Sequence, residues 1–118
     1  MGVKTAGSGL TLSPVDMAKI GQLYLNHGMW NGRRIVSEKW VDESTKEHSR
    51  WKVHDLSYGY LWWVYQDGFA AMGDGGNVIF VNTKKDMVIA IASLFRSKVR
   101  DRMVFIRKYV EPMFDDCV

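Results

Sequence analysis

Two apolar, strand-like runs meet at Gly73-Asp74-Gly75-Gly76, and this corner constrains the chain more than any other stretch. The segment Phe69-Ala-Ala-Met-Gly-Asp-Gly-Gly-Asn-Val-Ile-Phe-Val-Asn82 reads as strand, glycine-rich corner, strand. Glycine has no Cβ, so it takes positive φ easily and lets another backbone or a ligand approach closely. Such a corner either turns the chain between paired strands or presents backbone N–H groups to something bound.

The flanking sequence supplies the rest of a sheet. Tyr58 to Gln66 alternates, with Tyr58, Tyr60, Trp62 and Val64 on one side and Leu61, Trp63 and Tyr65 on the other. Both sides are apolar, so this strand expects cover on both faces. Asp67-Gly68 predicts a hairpin turn into Phe69–Met72. Asn77–Asn82 is the next strand, Thr83-Lys84-Lys85-Asp86 a polar turn, and Met87–Ser93 a strand rich in Val, Ile and Ala. Residues 45–57 show no periodicity and read as a surface loop.

Helices flank this sheet in the sequence. Ser13-Pro14-Val15-Asp16 is a helix start, with Ser as N-cap, Pro in the first helical position and an acid near the positive end. Met17, Ala18, Ile20, Gly21, Tyr24 and Leu25 then form a wide apolar stripe. Gly21 costs about 1 kcal/mol relative to Ala in a helix interior, which predicts close packing against it. Asn26-His27-Gly28 stops the helix. In Met29–Ile35 the Asn31-Gly32 pair favours a type I′ turn and a small two-stranded ribbon. Ser37 caps a second short helix with Trp40 and Val41 on its apolar edge. A last helix is expected from about Ser97 to Met113, with Val99, Met103, Ile106, Val110 and Met113 on its apolar stripe and Arg100, Arg107, Lys108 and Glu111 off it. The predicted fold class is α+β: an antiparallel sheet of about four strands with flanking helices, in one unit over residues 1–118.

Composition narrows the function classes. Apolar residues make up 47% of the 118, enough for a packed core and unlike a disordered chain. No apolar run is long enough to span a membrane as a helix, and Met1-Gly-Val-Lys-Thr-Ala6 forms no signal-peptide h-region. The chain as it stands is therefore expected in the cytoplasm, with no membrane partner. Net charge is +3, with much of the excess in Arg96, Lys98, Arg100, Arg102, Arg107 and Lys108. These alternate with apolar residues at helical spacing, so they read as a solvated helix face rather than a nucleic-acid contact. The single cysteine, Cys117, excludes an internal disulfide. His27, His48 and His54 are scattered, with no Cys-x-x-Cys or His-x-x-x-His spacing, so neither a metal site nor a cofactor is expected.

Four stretches together resemble the C-terminal part of the serine β-lactamase and penicillin-binding-protein-like hydrolases, in their β-lactamase-related branch. They are Gly9-Leu-Thr-Leu-Ser-Pro-Val-Asp-Met-Ala-Lys-Ile-Gly-Gln-Leu-Tyr-Leu25, Trp30-Asn-Gly-Arg-Arg-Ile-Val-Ser-Glu-Lys-Trp40, Tyr58-Gly-Tyr-Leu-Trp-Trp63 and the glycine corner. They cover most of the chain in family order. The resemblance implies a partial β-lactamase/transpeptidase-like fold, in which Asp74-Gly75-Gly76 stands where the family's third motif is Lys-Thr-Gly or His-x-Gly. It implies acyl transfer on an amide or ester through a nucleophilic serine, which needs a base within reach because a hydroxyl at its free pKa is a weak nucleophile. The family's Ser-x-x-Lys and Tyr-x-Asn motifs are expected upstream of Met1. No catalytic residue is therefore assigned to this chain, and it is expected to be inactive alone.

Asp74, Gly75, Gly76 and Asn77 are the candidate substrate and oxyanion wall, with the Asn77 backbone N–H as the implied oxyanion donor. That N–H reads equally as an ordinary ladder group. At position 74 the sequence departs from the family: a Lys or His offers a cation to a substrate carboxylate, and Asp74 repels one. A neutral or cationic ester or amide fits better; alternatively, Asp74 only shapes the turn. Three literal motif matches are decoys by context: Ser49-Arg-Trp-Lys52 in the aperiodic loop, Tyr24-Leu-Asn26 on a buried helix stripe, and Lys4-Thr5-Ala6 without a strand. The expected partner of the parent enzyme is a small-molecule or peptide-like substrate. The competing reading is a non-catalytic binding or assembly module using the aromatic strand and the basic C-terminal helix. The resemblance further implies that an N-terminal strand would pair with Met87–Ser93, so here that strand is expected to be an open edge, and the chain to form homo-oligomers through that edge or an apolar face.

Overall fold

The computed structural model describes residues 12–73, 76–93 and 102–115. Helix α1 (Pro14–Leu25) begins as expected, with the Ser13 hydroxyl accepting from the Asp16 N–H at 3.2 Å. It ends through His27 and Gly28 at φ 57° and 91°. Strands β1 (Met29–Trp30) and β2 (Arg33–Arg34) form the ribbon, with Asn31 and Gly32 both at positive φ, as a type I′ turn requires. Helix α2 (Glu38–Ser44) is capped by Ser37 and buries Val41. Trp40, expected on its apolar edge, is exposed and stacks on Tyr60 at 5.7 Å instead.

The remaining strands form one antiparallel sheet in sequential order: β3 (Ser49–Trp51), β4 (Leu56–Tyr58), β5 (Trp63–Tyr65), β6 (Gly68–Gly73), β7 (Asn77–Asn82) and β8 (Met87–Ile91). The fold class is thus α+β, with six strands in the sheet rather than about four. The additional strands are β3 and β4, joined by a one-turn 3-10 helix at Lys52–His54, within the segment read as a loop. Strands of three residues are too short to show a period of two, and β3 is largely exposed, so the sequence carries no alternation to read.

The aromatic run 58–66 is two strands, not one. Gly59 sits so close to α2 that a Cβ on it would lie 2.2 Å from the Ser44 carbonyl oxygen. Its N–H donates to the Trp62 carbonyl at 2.8 Å, and Leu61 takes φ 68°. The bend makes Tyr58 and Trp63 cross-strand partners, with ring centroids 4.6 Å apart on one face, whereas continuous alternation would separate them. The following turn is also displaced by one residue: Tyr65 pairs with Gly68, so the loop is Gln66-Asp67. Gly68 belongs to β6, where a Cβ would meet the Val81 carbonyl at 1.8 Å.

Strand alternation then builds two cores, one on each side of the sheet. Phe69, Ile79 and Val81 face α1 and pack with Met17 and Trp62. Ala70, Val78 and Phe80 face the C-terminal helical run and pack with Met103 and Ile106. Gly21 lets α1 lie directly on the sheet: a Cβ there would come within 2.5 Å of a Val88 methyl. The close packing that this helical glycine implies is present.

The C-terminal run comprises α3 (Arg102–Phe105), a π-helical turn (Ile106–Val110) and α4 (Pro112–Asp115). Residues 97–101 of the expected helix lie outside the described residues. The wider π turn rotates the face that a uniform helix would bury. Met103 and Ile106 are buried as expected, but Met113 is exposed and Glu111 is 6% exposed against the sheet. Arg107, expected on a solvated face, lies over the Phe80 ring at 4.8 Å.

The candidate active-site corner

Strands β6 and β7 pair from Gly68–Asn82 to Gly73–Asn77, which leaves residues 74–76 as the corner. Asp74 and Gly75 lie outside the described residues. Gly76 takes φ 95°, a left-handed conformation that glycine adopts without strain, so its place in the turn has a backbone cause. The Gly76 carbonyl accepts from Arg102 Nε at 3.3 Å, tying the corner to the start of α3. Asn77 begins β7, and its side-chain Oδ1 accepts the Ser93 N–H at 2.9 Å. Through that bond a side chain extends the contact between β7 and the chain after β8 two residues past Ile91, the last paired residue of β8. The corner is therefore held on two sides, by Ser93 and by Arg102. Arg102 entered the sequence reading only as part of a basic cluster. Its place at the corner depends on a bond across 26 positions, which no local pattern displays.

The two decoy motifs that fall among the described residues have no catalytic geometry. Ser49 lies in β3 and Lys52 in the 3-10 turn, both exposed, not on one turn of an α-helix. Among the described residues no hydrogen bond joins them. Tyr24 packs its ring on Trp62 at 4.8 Å and on Phe69 at 6.2 Å, inside the core under α1. Lys4-Thr5-Ala6 lies outside the described residues. The histidines are dispersed: His27 ends α1, His48 stacks on Tyr60 at 4.1 Å, and His54 meets Trp51 edge-on. Among the described residues no group of His, Cys, Asp and Glu could hold a metal ion. Among them, too, no helix is long and apolar enough to cross a membrane.

A second polar cluster, absent from the sequence reading, lies at the far end of β6 and β7. Arg107 donates to both carboxylate oxygens of Asp67 and to Glu111 at 2.9 Å. The fully buried Asn82 donates to Asp67 and Glu111, each at 3.2 Å, and accepts from the Lys85 N–H at 3.0 Å. Lys85 continues the chain to Asp115 at 2.6 Å. The hydrogen bonds from Arg107 hold the Asp67 carboxyl below the usual carboxylate range, and Asp67 in turn raises the guanidinium. Shifted titration at a cleft can mark a functional site. Among the described residues every buried side-chain nitrogen and oxygen has a partner, and the cluster joins the β5–β6 turn, the β7–β8 turn and the C-terminal run. It is a structural clamp. Asp67 and Arg107 are 40 positions apart, so the only local signal was Asp67 itself, which reads as a turn residue.

Fold and corner together define an α+β class: an antiparallel sheet with α1 on one face, a C-terminal helical run on the other, and a glycine hairpin corner at the end of its longest strands. No protein-family model and no curated protein matches the chain. Among solved structures, it is similar to a candidate 6-aminohexanoate-dimer hydrolase from Bacillus anthracis, with a TM-score of 0.63 and 23% identity. The match covers 86% of this chain and 28% of that one, so the chain spans under a third of the length of the protein it resembles. At this identity the likeness speaks for the fold, and it agrees with a partial β-lactamase-like architecture.

Proposed function

We propose that this chain is the C-terminal portion of a β-lactamase-like serine hydrolase that cleaves an amide or ester by acyl transfer. The glycine corner forms one wall of its site, and the nucleophile and base come from sequence outside the chain. The observation that carries this reading is the arrangement of β6, corner and β7 between two helical layers, in a fold shared with part of a hydrolase. In this role Asp74-Gly75-Gly76 borders the substrate and the Asn77 N–H donates to the developing oxyanion. One such donor changes the rate by roughly 10²-fold or more. Asp74 places a carboxylate where the family carries a cation. A short linear amide with a free amino end, of the kind named for the structural neighbour, is the substrate class that suits it.

Two measurements test the reading. The chain alone turns over neither a chromogenic cephalosporin nor a p-nitrophenyl ester, and a fluorophosphonate leaves it unlabelled. The reading frame upstream of Met1 encodes a Ser-x-x-Lys helix, and the joined protein hydrolyses linear amides. Stoichiometric labelling of Ser49 in the isolated chain, lost in Lys52→Ala, overturns the assignment of the nucleophile. A short isolated gene favours the rival binding or assembly module, to which exposed Trp40, Trp51 and Tyr60 lend aromatic surface.

A further inference from the structure

The bond from Arg102 to the corner grips a particular peptide group. Arg102 Nε donates to the Gly76 carbonyl at 3.3 Å, and that carbonyl shares its peptide with the Asn77 N–H. The peptide is planar and trans, so its C=O and N–H point in opposite directions. Holding the oxygen therefore holds the hydrogen. Gly76, at φ 95°, has no side chain to restrict its own backbone, so the orientation of this peptide has to be fixed from outside.

Two features suit Arg102 to that task. Its backbone is anchored, because Met103, the next residue, is buried under the sheet with Ile106. Its charge is also uncommitted. Arg102 and Arg107 are the half-buried cations among the described residues, and Arg107 is neutralised by Asp67 and Glu111. For Arg102 the partner among the described residues is the neutral Gly76 carbonyl. A charged donor on a carbonyl polarises the whole amide and makes its N–H a stronger donor in turn. We infer that Arg102 is a positioning residue for the oxyanion donor: through the Gly76 carbonyl it aims the Asn77 N–H and strengthens it. The inference rests on the hydrolase reading for what that N–H meets, and on the geometry of the corner for the positioning.

Two variants separate donor from charge. Gln Nε2 stands as many bonds from Cα as Arg Nε, so Arg102→Gln keeps a neutral donor, whereas Arg102→Met keeps the stem and loses the donor. Both are good helix formers, and both variants melt within a few degrees of the native chain. Nuclear magnetic resonance of the 118-residue chain reads the positioning. In Arg102→Met the Gly76 carbonyl-carbon and Asn77 amide-proton resonances move to higher field, the Asn82 amide at the far end of β7 stays in place, and Arg102→Gln recovers part of the shift. In the protein joined to its upstream sequence, Arg102→Met lowers kcat on a linear amide about tenfold with KM unchanged, because the donor acts on charge that develops only in the transition state. Arg102→Gln falls between the two. Unmoved Gly76 and Asn77 resonances, shifts that spread as far as Asn82, or a native kcat in Arg102→Met would each overturn the inference. A joined native protein that hydrolyses no amide overturns the hydrolase reading and the catalytic role of Arg102 with it, while the resonances of the chain decide the positioning separately.

Discussion

Replacing Gly21 by alanine sets two magnitudes against each other at one position. Alanine in place of glycine stabilises a helix interior by about 1 kcal/mol. The added Cβ, however, would lie 2.5 Å from Val88 Cγ1, 3.0 Å from Ile79 Cγ2 and 3.3 Å from Val81 Cγ2. All three neighbours are β-branched and stiff at χ1, and Val81 is fully buried, so α1 must lift from the sheet or Val88 must leave its rotamer. Overpacking of this kind costs about 1–3 kcal/mol. Gly21→Ala is therefore expected to destabilise by about 1 kcal/mol net, a fall of roughly 3–6 °C in melting temperature. Val88→Ala removes the closest methyl. In the double variant the clash is relieved, the helix gain is recovered, and the pair shows a favourable coupling of about 1 kcal/mol. Urea and thermal melts of the four proteins provide the measurement. If Gly21→Ala stabilises by the full helix increment, or if the two changes add, then α1 does not rest on β8 as described.

Gly59→Ala places its Cβ against backbone carbonyls at 2.2 Å and 2.8 Å, which cannot rotate aside, so it is expected to cost more than about 2 kcal/mol; thermal melts read this against Gly32→Ala, which has open space but also positive φ. Asp67 has its folded-state pKa depressed by Arg107, so its contribution is present above the unfolded carboxylate value of about 3.9 and is lost as pH falls through the lower folded value. The acid limb of a pH–stability curve should therefore flatten in Asp67→Asn, while the variant is less stable than the native chain near neutral pH. At the corner, Asp74→Asn is expected to be nearly silent in a thermal melt, whereas Gly76→Val destabilises because its φ of 95° is hostile to a β-branched residue; equal, small shifts would remove the backbone argument for Gly76.

What the sequence determined by itself was whatever local chemistry encodes. Ser13 and Ser37 announce helix starts because capping acts over three residues, and Asn31-Gly32 announces its turn because only a few residues accept positive φ there. Strands β6 to β8 were legible as short apolar runs bounded by turn residues. The glycine corner likewise stood out in composition. Tertiary structure decided the rest. Strands β3 and β4 exist through pairing rather than pattern. The break at Gly59 arises because α2 presses the Ser44 carbonyl against it, and Gly68 joins β6 because the β7 backbone leaves no room for a side chain. The π turn between Phe105 and Glu111 shifted which face of the last helix is buried. It carried Arg107 and Glu111 inward to meet Asp67 and Asn82, and left Phe105, Tyr109 and Met113 outside. None of these outcomes is local: each is set by a backbone or side chain distant in sequence, whose approach no window of neighbouring residues records.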